Sequence, residues 1–226
     1  VAFTDDDCTP SPGWLAGLLE AGAGEERVVV QGRVEPLPDQ RHLLGPLSHT
    51  IEIGGANRLF MTANIAYPRA LLEEVGGFDE SFLHASGEDV ELGARATKAG
   101  AAVRFAEGAL VHHEVRPMTL RAHLRHTLKW GDSVRALSLH PELRELLVAG
   151  VFWKPSHPKL LLAAAGLLSR RPPLALLALP YLAHLVRLYG GDAVAAARAA
   201  PAHAAIDATE IATVAAASVR HRTLML

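Results

Sequence analysis

The chain has one cysteine, Cys8, in 226 residues, and aromatic residues make up only 5% of it. A single thiol excludes an intrachain disulfide framework and any thiolate zinc cluster, and it suits a reducing compartment such as the cytoplasm. Long apolar runs are also scarce. Residues 160–168 and 174–189 come nearest, but the first is short of the roughly 20 residues a spanning helix needs. The second is interrupted by Pro180, His184 and Arg187. No initiator Met opens the chain, and no basic segment leads into an apolar one at its start.

What is present is a helix-leaning apolar content dominated by Ala and Leu, with a fifth of the residues charged, as in a globular protein. The net charge of −2 conceals a division. Residues 1–115 hold 8 Lys and Arg against 18 Asp and Glu, whereas residues 116–226 hold 14 against 6. An acidic front suits a cation, and a basic, apolar back suits an anionic surface. The same acidic front argues against a nucleic-acid partner, because phosphates would be repelled.

Strand, turn and helix signals alternate through the first half. A short strand over residues 1–4 leads into Asp5, Asp6 and Asp7. Ser11 and Pro12 read as a helix start, with the helix over residues 14–21 and stopped by Gly22 and Gly24. Residues 28–32 read as a strand, 35–58 as a loop-rich segment, 60–67 as a strand and 68–74 as a short helix ended by Gly76 and Gly77. A further helix is expected over 88–99, then two short strands at 102–106 and 109–113. From Pro117 onward the pattern is helical with Pro breaks.

Three constellations carry chemistry. Carboxylates at i and i+2 after a strand, Asp5 and Asp7, suit a hard divalent cation such as Mg²⁺ or Mn²⁺ that also meets phosphate oxygens. A solvated acidic turn has the same composition. Glu88 and Asp89 open a helix, where the positive dipole end favours an ionised carboxylate able to act as a general base. Acidic residues are also simply preferred in first turns. His112 and His113 end a strand, where neighbours point to opposite faces, so at most one can turn toward the acidic residues. His123 and His126, three apart, read as a polar helix face.

In order and spacing these segments resemble the inverting, GT-A-fold family 2 glycosyltransferases. Phe3–Asp7 with Pro12–Leu15 resembles the family's D-x-D segment. Residues 55–64 and the Gly76-Gly77-Phe78-Asp79-Glu80 turn resemble its acceptor side. Gly87–Leu92 with Arg95 and Gly100 resembles its E-D segment, and Ala109–His113 the strand ending in a metal-completing His. The likeness covers residues 1 to about 116, and Asp207–Leu226 resembles the C-termini of actinobacterial-type members.

The resemblance implies an α/β GT-A-like core over residues 1–116, followed by a mainly helical, basic and apolar region over 117–226. It implies that Asp5, Asp6 and Asp7 meet the nucleotide sugar, and that Asp7, Asp5 and His113 hold the metal. Asp89 would be the base, with Glu88 shaping the site, and Asn64, Gly77, Phe78 and Asp79 would line the acceptor side. The reaction implied is transfer of a sugar from a nucleoside diphosphate to a hydroxyl of a polysaccharide or lipid-linked acceptor. Family members carry an N-terminal βαβ region ahead of the D-x-D segment, so the sequence is expected to be an internal piece of a longer enzyme and poorly active alone. Residues 160–189 form either a helical hairpin lying in one leaflet, with Arg170, Arg171 and Arg187 at head groups, or a pair of buried helices. The first places the protein peripherally at the inner face of the plasma membrane. A non-catalytic membrane-associated binding module and a sugar nucleotidyltransferase are the alternative readings.

Overall fold

The computed structural model describes residues 1–226 and divides into two compact units, Val1–Met118 and Thr119–Leu226. The first contains strands β1 (Ala2–Phe3) and β2 (Cys8–Pro10), helix α1 (Trp14–Ala21), strands β3 (Val28–Pro36), β4 (Ser48–His49) and β5 (Ile65–Ala66), helices α2 (Arg69–Val75) and α3 (Glu88–Lys98), and strands β6 (Ala102–His113) and β7 (Arg116–Pro117). Five strands form a mixed sheet in the order β1-β5-β3-β6-β2, while β4 and β7 pair separately. Only β3 and β6 run parallel; the other pairings are antiparallel.

Alternation along β3 explains the layering, because successive side chains on a strand point to opposite faces. Val28 and Val30 pack with Leu18, Ala106 and Ala109 on the α1 side. Val29 instead joins Phe60, Ile65, Tyr67, Leu71, Leu92 and Ala96 under α2 and α3. The α/β class expected for this half, with a helical region after it, is the architecture found.

Several local expectations change. α1 spans the expected residues, but its N-cap is Gly13 in the left-handed region at φ 84°, and Ser11 makes no side-chain cap. Strand β3 runs on to Pro36, and Cys8–Pro10 pair with β6 despite the prolines because β2 lies at the sheet edge. The segment 60–67 is strand only at Ile65–Ala66; Thr62–Asn64 make a 3₁₀ turn. The two short strands expected near 102–113 are one, interrupted by a bulge. Gly32 pairs with Ala106 but Arg33 with Leu110, so residues 107–109 are extra.

Asn64 closes that bulge. Its side chain is fully buried and donates to the carbonyls of Ala109 at 2.7 Å and Arg33 at 2.9 Å, and its Oδ1 accepts from the Trp14 indole at 2.8 Å. A Cβ on Gly32 would sit 2.2 Å from the Asn64 amide, so a glycine is required there. Arg95 makes the second cross-link. It pairs with buried Glu91 one turn earlier and donates to the carbonyls of Val75 and Gly77, tying α3 to the Gly76–Gly77 turn.

The second unit is helical: α4 (Leu120–Thr127), α5 (Gly131–Leu139), α6 (Ser156–Leu168), α7 (Leu179–Leu188) and the 29-residue α8 (Ala193–His221), with 3₁₀ turns between them. Asp192 caps α8 by accepting from the amides of Val194 and Ala195, both at 2.9 Å. His123 and His126 do not form a solvated face. Both are half-buried, and the His126 ring stands edge-on to Trp130 at 5.6 Å.

Replacing Asn64 by Ala orphans two buried carbonyls, each worth about 1–3 kcal/mol. Chemical denaturation of Asn64→Ala should therefore show a loss of that order, whereas an acceptor-lining residue would leave stability unchanged.

Candidate active site

The acidic turn lies between two strands. β1 ends at Phe3, whose ring packs edge-on to Tyr67 and Phe78, and β2 begins at Cys8. Cys8 pairs in register with His113 at the end of β6. That register brings together one ligand atom each from Asp5, Asp7, Cys8 and His113, all within 4.8 Å of one another. Asp6 between them is exposed and outside the group. His113 is buried and His112 is on the opposite face of the strand, as alternation requires.

The tautomer of His113 follows from its neighbours. Nδ1 lies 2.7 Å from the Glu114 carbonyl, which can only accept, so Nδ1 carries the proton. Nε2 faces Asp7 Oδ1 at 3.5 Å. An imidazole held by its far nitrogen and facing carboxylates is the arrangement of a metal ligand. The Thr50 hydroxyl is within 3.4 Å of Nδ1, and Thr62 donates to Asp5 Oδ1 at 3.3 Å. Burial and then the Asp7 charge raise the Asp5 carboxyl above its ordinary range. Burial likewise lifts the Cys8 thiol to about 11. These crowded lone pairs fit a divalent cation. The Arg116 guanidinium, bonded to Asp7 and near Glu114, offsets part of the charge.

Asp89 is the other pole. Gly87, at φ 94°, makes the left-handed turn that starts α3 and puts Glu88 and Asp89 in its first turn. Burial pushes the Asp89 carboxyl up to about 7, with Glu88 and then Asp5 adding repulsion, against hydrogen bonds such as that from the Val90 amide at 2.8 Å. One Glu88 oxygen is buried without a hydrogen-bond partner, as is the Tyr67 hydroxyl. Burial and the Asp89 charge raise the Tyr67 phenol in turn. The Asp5 charge is thus among those that raise the Asp89 carboxyl.

On the expected acceptor side, the Gly77 carbonyl receives Arg95, Phe78 packs on Phe3, and Asp79 accepts from the Ser81 amide at 2.9 Å. Asn64 does not line this face, because all its polar atoms serve the bulge described above. Cys8, Thr50, Tyr67 and Arg116 join the site without having carried a motif in the sequence, and Thr62 joins it from the 55–64 segment without having been singled out. Only Cys8, next to Asp7, and Arg116, three residues past His113, had a positional signal.

A profile for glycosyl transferase family group 2 matches residues 44–189. The chain belongs to this family. Among curated members, the pre-mycofactocin glycosyltransferase of Mycobacterium tuberculosis H37Rv is 32% identical over 161 residues, covering 66% of this chain and 34% of that protein. Chondroitin synthase of Escherichia coli is 40% identical over 156 residues, covering 52% of this chain and 23% of that one. The chain thus spans about a third or less of the length of these relatives. A solved mannosyltransferase from Pyrobaculum calidifontis, in complex with GDP-Man and Mn²⁺, aligns over 97% of this chain and 61% of that one, at 18% identity and a TM-score of 0.46.

The raised Asp89 pKa has a sign in stability. A carboxyl raised by folding contributes stability that is fully present below its ordinary value near 4 and lost as pH rises through about 7. Asp89→Asn should melt higher than the parent at pH 8, and the difference should shrink as pH falls toward 4. Thermal denaturation across that range is the measurement.

Proposed function

We propose that the chain carries the metal-binding and base-bearing part of an inverting glycosyltransferase that moves a sugar from a nucleoside diphosphate to an acceptor hydroxyl. The observation that carries this reading is the joining of two groups in one field, the Asp5–Asp7–Cys8–His113 cluster and the half-buried Asp89 with a carboxyl near neutrality.

Asp5, Asp7 and His113 would hold a divalent cation, Mn²⁺ or Mg²⁺, whose chemistry when bound is to offset the charge of a leaving diphosphate. Asp89 takes the proton of the acceptor hydroxyl as its oxygen bonds to the anomeric carbon and the carbon–oxygen bond to the diphosphate breaks. A base titrating near 7 is half-ionised at neutral pH and still basic enough to draw the proton. Burial keeps it there, and Glu88 adds repulsion. Arg116, once released from Asp7, is within reach of an anionic donor. The Gly77–Asp79 turn, locked by Arg95, forms the acceptor wall.

The helical unit supports a membrane-facing role in the same reading. Exposed leucines concentrate between 161 and 188, with Leu168 80% and Leu176 64% exposed. Arg170, Arg171 and Arg187 lie among them. No single helix is long and apolar enough to cross a membrane; Pro172–Leu188 and Ala193–His221 satisfy that test only as a pair bent by 113°. A hairpin lying in the head-group region at the inner face of the plasma membrane fits this surface and suits a lipid-linked acceptor.

The test is nucleoside diphosphate release from a panel of sugar nucleotides by the chain joined to its natural flanking sequence, with Mn²⁺, Mg²⁺ or EDTA. EDTA should abolish release. Asp7→Ala and Asp89→Asn should each lower it by roughly 10²–10⁴-fold. With acceptor present, kcat/KM should rise with pH and level off above about 7 in the parent only. Release that persists in both variants at parental rates overturns the assignment. Separately, the chain should sediment with vesicles containing anionic lipid and not with neutral ones, and replacing Leu167, Leu168 and Leu176 by Ser should abolish this.

A further inference from the structure

The helical unit conceals a second concentration of ionisable groups that sugar transfer does not use. His203, Asp207 and Glu210 follow one another on α8 at spacings of four and three, so they share one stripe of the helix. All three are buried. α6 brings up His157, which is fully enclosed, and its Nε2 lies 3.1 Å from Glu210 Oε2. Tyr181 of α7 donates to Asp207 Oδ2 at 2.9 Å. Lys154, just ahead of α6, donates to Glu210 Oε1 at 2.6 Å. One ligand atom each from His157, Asp207 and Glu210 lies within 4.8 Å of the others.

An apolar interior does not gather such groups cheaply, since every buried charge must be compensated. Lys154 answers Glu210, but Asp207 is met by a neutral phenol. Two imidazole nitrogens, Nδ1 of His157 and Nδ1 of His123, are also buried without a hydrogen-bond partner. The cluster thus holds two buried carboxylates and an enclosed imidazole around a single lysine ammonium.

We propose that His157, Asp207 and Glu210 form a second, structural divalent-metal site. One imidazole with two carboxylates is a nitrogen and oxygen set that suits Zn²⁺ better than the all-oxygen cations Ca²⁺ and Mg²⁺. Tyr181 holds the Asp207 carboxylate from behind, in the manner of outer-shell partners. Lys154 is the competitor, because its ammonium compensates Glu210 when no metal does so. Its side chain is 39% exposed, so it can swing out to water when a cation enters. The bound ion would join α6 and α8, and with α6 it would fix one arm of the leucine-bearing hairpin.

The experiment uses the full chain with Asp5→Asn, Asp7→Asn, Cys8→Ser and His113→Gln, so that the front cluster no longer contributes. After chelator treatment and its removal, Zn²⁺ is titrated against a competing chromophoric chelator, and melting is followed with and without Zn²⁺. One equivalent of Zn²⁺ should bind and raise the melting temperature. Glu210→Gln and His157→Gln should each weaken binding at least tenfold, and Tyr181→Phe by about tenfold as an outer-shell change. Lys154→Met should tighten binding, because it removes the competing ammonium while leaving the donors in place. That variant also decides the matter if the ligand substitutions unfold the unit. No Zn²⁺ uptake in the front-cluster variant, uptake equal in Glu210→Gln, or Lys154→Met without effect would each overturn the site and leave a closed ion-pair network.

Discussion

The site rests on Asn64, a residue that touches none of its chemistry. Three residues inserted into β6 open a bulge against β3 and would strand the carbonyls of Arg33 and Ala109 in the interior. One buried amide satisfies both, while its oxygen receives Trp14 at the start of α1. With the bulge held, β6 resumes in a register that pairs Val34 with Val111 and ends at His113 opposite Cys8. The phase of that last segment decides which of two adjacent histidines turns inward. A backbone irregularity, closed by one side chain, thus sets the geometry of a cluster several residues away.

A second constraint places the other pole. Phe60, with φ at 51°, is fully buried and its ring lies so close to Gly93 that a Cβ there would meet it at 2.1 Å. This contact fixes the height of α3, and Arg95 fixes its other end to the Gly76–Gly77 turn. Asp89, in the first turn of α3, is therefore held where burial and two carboxylates act on it together. Electrostatic repulsion within the site is sustained by apolar and hydrogen-bonded contacts outside it.

Much of this is legible in the sequence where local physics decides. α1, α2 and α3 declare themselves through glycine stops and periodicity, and strand alternation separates His113 from His112. The order of the motifs along the chain is enough to point to the family. What cannot be read depends on distant partners. The bulge is invisible because nothing local distinguishes residues 107–109 from an ordinary strand break. Asn64 looks like a site residue because an uncharged polar side chain after a loop has no visible partner until β3 and β6 are paired. Arg116 and Thr50 approach the cluster only through the β4–β7 pairing. In the tail, the helical spacing of His123 and His126 is visible, but not that half of each side chain is enclosed.

If Asp5, Asp7 and His113 jointly hold a divalent cation, the imidazole NMR spectrum of the full chain should report it during addition of substoichiometric Mn²⁺, whose unpaired electrons broaden signals of nuclei near it. The His113 signals, assigned through His113→Gln, should broaden first, and the effect should disappear in Asp7→Asn. If His113 stays sharp while Mn²⁺ binds, or broadens equally without the Asp7 carboxylate, the cluster is an acidic turn beside a buried histidine and not a metal site.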